Sequence, residues 1–313
     1  LAETNTLSVP DSRTKRSISG YTKRFIRKGT MLNLLYLPAL ILFIVFIFYP
    51  FLKGIQISFT NWNGYNQDYK WVGFRNYARL ANDPDIGKII RNTVIYGVGS
   101  SIFQNIIGLL YALYLNMNIR IRGLVRTIIY LPVIISSLIM GYIWYFFFQY
   151  QGGAINDILL LFQDKPVNLL GDPNINVWII TFVNTYQYLG IAMVLFLAGL
   201  QTIPKDYYEA ATIDGAGPFS RFAHVTWPLL APAFTVSMVL NLIGGLKLFD
   251  VIAALTNSGP GYASASLSTL IYLLYFGRED AGYAATVGIL MFVMISAVSM
   301  ISLIFLRRRE VSA

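Results

Sequence analysis

An all-α membrane protein with six transmembrane helices is the fold class that the sequence predicts, on three observations. The first is composition: the 313 residues are 56% hydrophobic and only 12% charged, with a mean hydropathy of +0.56. Soluble chains rarely show that balance. Second, six charge-free apolar runs approach the roughly 20 residues that a helix needs to cross a hydrocarbon core. They lie at about 34–52, 94–115, 128–148, 177–200, 229–246 and 283–306. The third is charge. Six crossings bring both termini to one side, which collects fifteen of the 24 Lys/Arg and six of the 15 acids, leaving nine and nine opposite. The formal excess of +9 therefore falls on one side, which the positive-inside bias makes cytoplasmic.

Residues 1–30 are polar and basic with no apolar core, and read as a cytoplasmic N-terminal tail. The membrane domain runs over 31–309, and 310–313 form a short cytoplasmic end. The first apolar run is long for a signal sequence and no small-residue cleavage site follows it, so it is read as a retained anchor. Residues 58–88 form an outer loop with Trp62, Tyr65, Tyr69, Trp71, Phe74 and Tyr77. Aromatics at that density suit either the membrane–water boundary or a docking surface for an outer partner. A second outer loop, 149–176, turns at Gly152-Gly153 and at Gly171-Asp172-Pro173. The stretch 265–276 is apolar but too short to cross, and reads as an interfacial or re-entrant helix.

Between the fourth and fifth runs lies a polar island, 201–227, on the cytoplasmic side. Pro204 suits a helix start, and Asp206 and Glu209 sit where the helix dipole favours acids. Asp214-Gly215-Ala216-Gly217 breaks that helix. Pro218 opens a second short helix to about Val225, and Pro228 is expected to end it. Small Ala210 and Ala211 leave a side that another chain could approach closely. The plain alternative is an interfacial loop helix with no partner.

Polar residues within the runs are few: Asn105, Ser136, Ser137, Asn184, Thr185, Gln187 and Asn241. At membrane depth such groups face the protein interior. They serve either as glue between helices or as the lining of a passage for a hydroxylated solute, with Tyr186 and Tyr188 as stacking surfaces. Lys247 and Asp250 share one face at the outer end of the fifth run if its helix continues.

Several classes of chemistry find no residues here. There are no cysteines and one histidine, His224, which removes thiolate chemistry and histidine-based metal clusters. No phosphate-cradling G-x-x-x-x-G-K-[ST] loop, no H-E-x-x-H and no G-x-S-x-G occurs. The basic excess is confined to one membrane face, which argues against nucleic acid as a partner. No acid or histidine lies deep in a run, as a proton-driven carrier would need. The chain is therefore expected to be no enzyme and to take its energy from elsewhere.

Glu209-Ala210-Ala211, Gly215, Val225 and Trp227-Pro228 follow the pattern E-A-A-x3-G-x9-I-x-L-P, with Val and Trp in place of Ile and Leu. This resembles the signature of the membrane subunits of binding-protein-dependent ABC importers. The fuller string at 208–219, YEAATIDGAGPF, resembles the sugar-importing, maltose-permease branch. Ser58-Phe59-Thr60, Val72-Gly73-Phe74, Asn76-Tyr77, Arg91-Asn92-Thr93, Leu255-Thr256-Asn257 and Gly259-Pro260 extend the likeness over about 31–309.

The resemblance implies a type I importer permease fold in a bacterial or archaeal cell membrane. The segment 205–215 would be the coupling helix, docked on a cytoplasmic ATPase through Glu209, Ala210, Ala211, Asp214 and the turn at Gly215. Two ATPase subunits would bind ATP and Mg, this chain binding no cofactor itself. A second, homologous permease would complete the pathway, and an extracytoplasmic binding protein would deliver a sugar or oligosaccharide. Residues at the solute-facing positions would be Asn184, Gln187, Tyr188 and Ile191 before the coupling loop, and Asn241, Gly245 and Leu248 after it. Gly245 and Leu248 offer no hydrogen bond there, which implies a roomy passage. Two other classes remain: a secondary carrier or channel working without ATPases, and a membrane-anchored scaffold or receptor that passes no solute.

Overall fold

A computed structural model describes residues 36–117, 120–308 and 310; the tail at 1–30 and the end at 311–313 lie outside them. The chain divides into two compact units at Gln56/Ile57. The described residues of the first unit form most of α1 (Leu37–Ser58). Pro38 sits in its first turn, where a missing N–H costs nothing. A second proline, Pro50, follows a π-helical turn at Ile44–Phe48. The wider turn absorbs the bond that proline cannot make, and the helix runs on.

Among its described residues the second unit consists of helices and loops, with one β-bridge between Thr60 and Trp71. Its elements are α2 (Arg75–Asn82), α3 (Ile86–Asn116), α4 (Arg122–Ile134) and α5 (Ser137–Phe148), and the short α6 (Ala154–Leu159). There follow α7 (Asn176–Thr202), α8 (Lys205–Ile213), α9 (Pro218–Leu246), α10 (Asp250–Leu255), α11 (Leu267–Gly277) and α12 (Ala281–Arg307). Together with α1, the described residues hold five helices long and apolar enough to span a membrane, and six if α4 and α5 count as one span.

α7 is the centre of this unit. Its most apolar stretch is 61% buried, against 39% for α3 and α9, and it packs along α3, α9 and α4. Two apolar clusters form around it. Ile180 and Val183 meet Tyr96, Met140, Val251 and Ile252 toward one end; Met193, Phe196 and Leu200 meet Ala112 and Leu230 toward the other. Ile102, Phe103, Ile106 and Leu110 point outward from α3, as side chains do when the surrounding solvent is hydrocarbon.

Two expectations are corrected. The third span is bent: α4 and α5 meet at 100°, with Ile135 and Ser136 extended between them. Pro132 weakens the last turn of α4, and the break is held from outside. Gln187 of α7 donates Nε2 to the Ile135 carbonyl at 3.1 Å and to Ser137 Oγ at 3.3 Å. Pro228, in turn, ends nothing. A π-helical turn at Phe222–Thr226, closed by Trp227 N–H to the Phe222 carbonyl, precedes it as the turn at 44–48 precedes Pro50. The expected short helix after Pro218 is the first two turns of a 29-residue span.

The far end of the unit, away from the α7–α9 elbow, is closed by two folded loops. Asn76 donates to the carbonyls of Ser58 (2.9 Å) and Thr60 (2.8 Å), Ser58 pairs with the Tyr77 hydroxyl, and Phe59 packs on Phe74 and Tyr77. The segment 256–266 is pinned on α3. Asn92 donates to the carbonyls of Ala263 and Ala265, Thr93 Oγ1 accepts from Leu267 N–H, and the Tyr96 hydroxyl donates to the Ser264 carbonyl. Those polar partners explain why α3 begins eight residues ahead of its charge-free run. α11 is the expected short apolar helix at 265–276; a Ser266–Thr269 capping box starts it, and it packs on α12.

Candidate functional site: a polar cavity above an exposed elbow

Two features share the same pair of helices. At the elbow, α7 ends at Thr202 and extended Pro204 caps α8. α8 has no buried residue. It ends in a hydrogen-bonded turn: Asp214 N–H reaches the Ala210 carbonyl, Gly215 N–H that of Thr212, and Ala216 N–H that of Ala211. Gly215 takes φ +77°, a left-handed value that glycine adopts without a Cβ clash. Ile213 and Phe219 are 86% and 83% exposed, a large apolar offering beside a polar helix. The Tyr208 hydroxyl is 3.2 Å from Thr226 Oγ1, and Arg221 reaches Thr212 Oγ1 at 3.3 Å, so α8 is tied back to the start of α9. Among the described residues the ion pairs are Arg79–Asp280 and Lys88–Asp85. Glu209, Asp206 and Asp214 are exposed and have no ion-pair partner among the described residues.

The second feature is a cavity of about 390 Å³ between α3, α5, α7 and the end of α9. Asn184 to Ile191 lie roughly 12–22 Å along α7, itself about 40 Å long, so the cavity sits near mid-membrane depth. Of the solute-facing positions taken from the resemblance, Asn184, Tyr188, Ile191, Asn241, Gly245 and Leu248 line it. Gln187 does not. It is fully buried behind the wall, at the α4–α5 break. The Tyr188 hydroxyl pairs with Ser137 Oγ at 2.7 Å, which links that break to the cavity surface.

Gly245 has a packing role besides the one expected. A Cβ there would stand 2.7 Å from the Tyr96 carbonyl and 2.8 Å from both Gly97 Cα and Ser100 Oγ. The absent side chain permits α9 to approach α3, while Gly245 still lines the cavity. Lys247 and Asp250 are not on one continuous helix, since α9 ends at Leu246 and Asp250 opens α10. Both are exposed and line the cavity mouth with Phe249.

Gln104 of α3 was missed. It lines the cavity, is 1% exposed, and donates Nε2 to the Asn184 carbonyl at 2.9 Å. The signal was present: Ser101, Gln104, Asn105 and Gly108 recur at helical spacing and form one polar, small-residue face. Among the described residues no group of three acids or histidines could hold a metal ion.

The family described as the binding-protein-dependent transport system inner membrane component matches residues 104–311, which contain both features. The probable starch degradation products transport system permease protein AmyD of Thermoanaerobacterium thermosulfurigenes is 33% identical over 92% of this chain and 98% of its own. The trehalose/maltose transport system permease protein MalF of Thermococcus litoralis is 34% identical over 88% of this chain and 94% of its own. In structure, a bacterial ABC transporter involved in the import of the acidic polysaccharide alginate superposes with a TM-score of 0.77, at 25% identity over 92% of this chain and 99% of that one.

Proposed function

Since the chain belongs to the family of inner membrane components of binding-protein-dependent transport systems, we propose that it forms half of an ATP-driven sugar pathway, moved from its elbow. It is a membrane-spanning permease subunit of the ABC importer class, and its relatives carry sugar cargoes in their names. The carrying observation is mechanical. The exposed elbow helix α8 is continuous, through Pro204 and the Gly215 turn, with α7 and α9, the helices that line the cavity. A force on α8 is thereby delivered to Asn184, Tyr188 and Asn241. A driven change needs contacts that differ between two states, and α8 supplies a surface for them.

In this reading the elbow faces the cytoplasm, as do both termini, in agreement with the basic residues gathered at that end. Two ATPase subunits bind ATP and Mg and hydrolyse the nucleotide, and this chain contributes no catalytic group. Glu209, without an ion-pair partner among the described residues, meets a polar group of the ATPase cleft. Ala210 and Ala211 allow close approach, Ile213 and Phe219 supply apolar area, and Asp214 with Gly215 turns the chain back into the membrane. A homologous second permease closes the open side of the cavity, and an extracytoplasmic binding protein delivers a sugar to the far end.

Glu209→Lys and Gly215→Asp test it in the assembled complex. The lysine reverses the contact charge, and the aspartate forces a β-carbon into φ +77°. Both are expected to abolish ATP-driven uptake while the chain still inserts in the membrane. Undiminished uptake in both variants contradicts the coupling role.

A further inference from the structure

Aromatic rings continue outward from the mouth of the cavity. Phe249, which lines that mouth, has its ring centroid 5.3 Å from that of Tyr272. Tyr272 lies 5.0 Å from Phe276, and Phe276 lies 4.8 Å from Tyr275. The last three belong to α11, whose C-terminal end leads to the cap of α12. Tyr275 in turn meets the loop after α1, since a Cβ on Gly64 would stand 3.4 Å from its ring. A line of aromatic side chains therefore joins the cavity to the loop at 58–66.

The two faces of α11 differ in kind. Leu267, Leu270 and Leu274 are buried, on a helix that packs on α12. Ser268, Tyr272 and Phe276, spaced by four, share another face, and both rings are more than half exposed. The outward faces of α3 and α12 are mainly aliphatic, with Ile102, Ile106 and Leu110 on one and Val293, Ile301 and Ile304 on the other. An aromatic belt at the membrane boundary accounts for isolated exposed rings. It gives no reason for rings in mutual contact, nor for the innermost of them to line a cavity.

The face of an aromatic ring carries negative potential, and the C–H groups on the flat side of a pyranose complement it. Every pyranose offers such a side, so a row of rings holds a saccharide without fixing its register, much as a row of rings holds the successive bases of a single strand. At the inner end, Lys247 and Asp250 beside Phe249 offer a donor and an acceptor to the hydroxyls on the sugar's edge. Resting on the sugar pathway proposed above, we infer that Phe249, Tyr272 and Phe276 form an entry track. It is a second saccharide site, outside the mid-membrane cavity, and it stacks the part of the sugar chain that has still to enter.

The chain has no cysteine, so Ser268→Cys, one turn before Tyr272 on the same face, gives this subunit a single reporter. The complete complex is labelled with a membrane-impermeant maleimide, both free of nucleotide and with a non-hydrolysable ATP analogue. Maltotriose is the probe, and mannitol is the control that has hydroxyls and no ring face. In at least one state the reagent should reach the reporter, and maltotriose should slow it saturably while mannitol does not. Adding Tyr272→Leu and Phe276→Leu, which keep apolar bulk, should raise the half-protecting maltotriose concentration about tenfold, whereas Tyr272→Trp should retain protection. Access in both states by a lipid-soluble maleimide alone, access by neither reagent, or access without protection by maltotriose overturns the inference. So does equal protection by mannitol, protection that survives both leucines, or protection lost with tryptophan. The access outcomes are read with every ring in place, so misfolding of the leucine variant does not shelter it. The ATP dependence of uptake by the unmodified complex, measured alongside, reports separately on the importer reading.

Discussion

Asn184, Gln187 and Tyr188 lie within five residues on one helix, yet they do different work. Asn184 and Tyr188 line the cavity, whereas Gln187 braces the α4–α5 break through the Ile135 carbonyl. Gln187→Leu should therefore act on stability. It strands a carbonyl at a helix end, at a cost of about 1–3 kcal/mol, read as a lowered thermal midpoint of the purified complex. An unchanged midpoint with impaired uptake would return Gln187 to the passage. Asn241→Ala, at the cavity, should instead raise the half-saturating sugar concentration for uptake several-fold, and equal saturation in variant and parent would exclude it. These residues were legible as a group because polar side chains in apolar runs stand out. Their separate roles were not, because positions 184, 185, 187 and 188 spread over about 160° of a helix, and only the neighbours decide which way each one faces. The same holds for Gly245, whose meaning lies in the Tyr96 carbonyl 149 positions earlier.

At the scale of elements, the six apolar runs overlap the span-length helices of the described residues, counting α4 and α5 as one, whereas the apolar α10 went unread and two proline-containing stretches were misjudged. The 128–148 run contains no charge, and although Pro132 and Ser136 are local signs of a break, neither sets the 100° bend. The bend is imposed by α7, through Gln187 and through Gly190, where a Cβ would stand 2.8 Å from the Ile129 carbonyl. Gly190→Val should force α4 away and destabilise the subunit by about 1–3 kcal/mol, seen as early thermal unfolding; full stability would mean that α4 does not rest there. Pro228 was misjudged because a proline inside a helix usually breaks it, and the sequence does not display the π-helical turn that admits it. The elbow was legible in detail, from Pro204 to Gly215, because capping and turn chemistry are local. So was the clamp on the 256–266 segment, in part: Asn92 and Thr93 belonged to the resembling strings, though their bonds to Ala263, Ala265 and Leu267 appear only once the chain is folded.

In the molecule as a whole, two shared helices join a polar cavity near mid-membrane depth to an exposed elbow. Neither end explains itself. The cavity lacks the buried acid or histidine that a proton-driven carrier would use, and α8 exposes more apolar surface than a loop in water needs. Coupled to an ATPase, each acquires a purpose. The most direct measurement is sugar uptake into proteoliposomes that hold either this chain alone or the chain with its partner permease, two ATPase subunits and binding protein. Accumulation against the gradient should require the full set and internal ATP, and vanish with Gly215→Asp. Uphill accumulation by this chain alone, without ATP, would contradict the account.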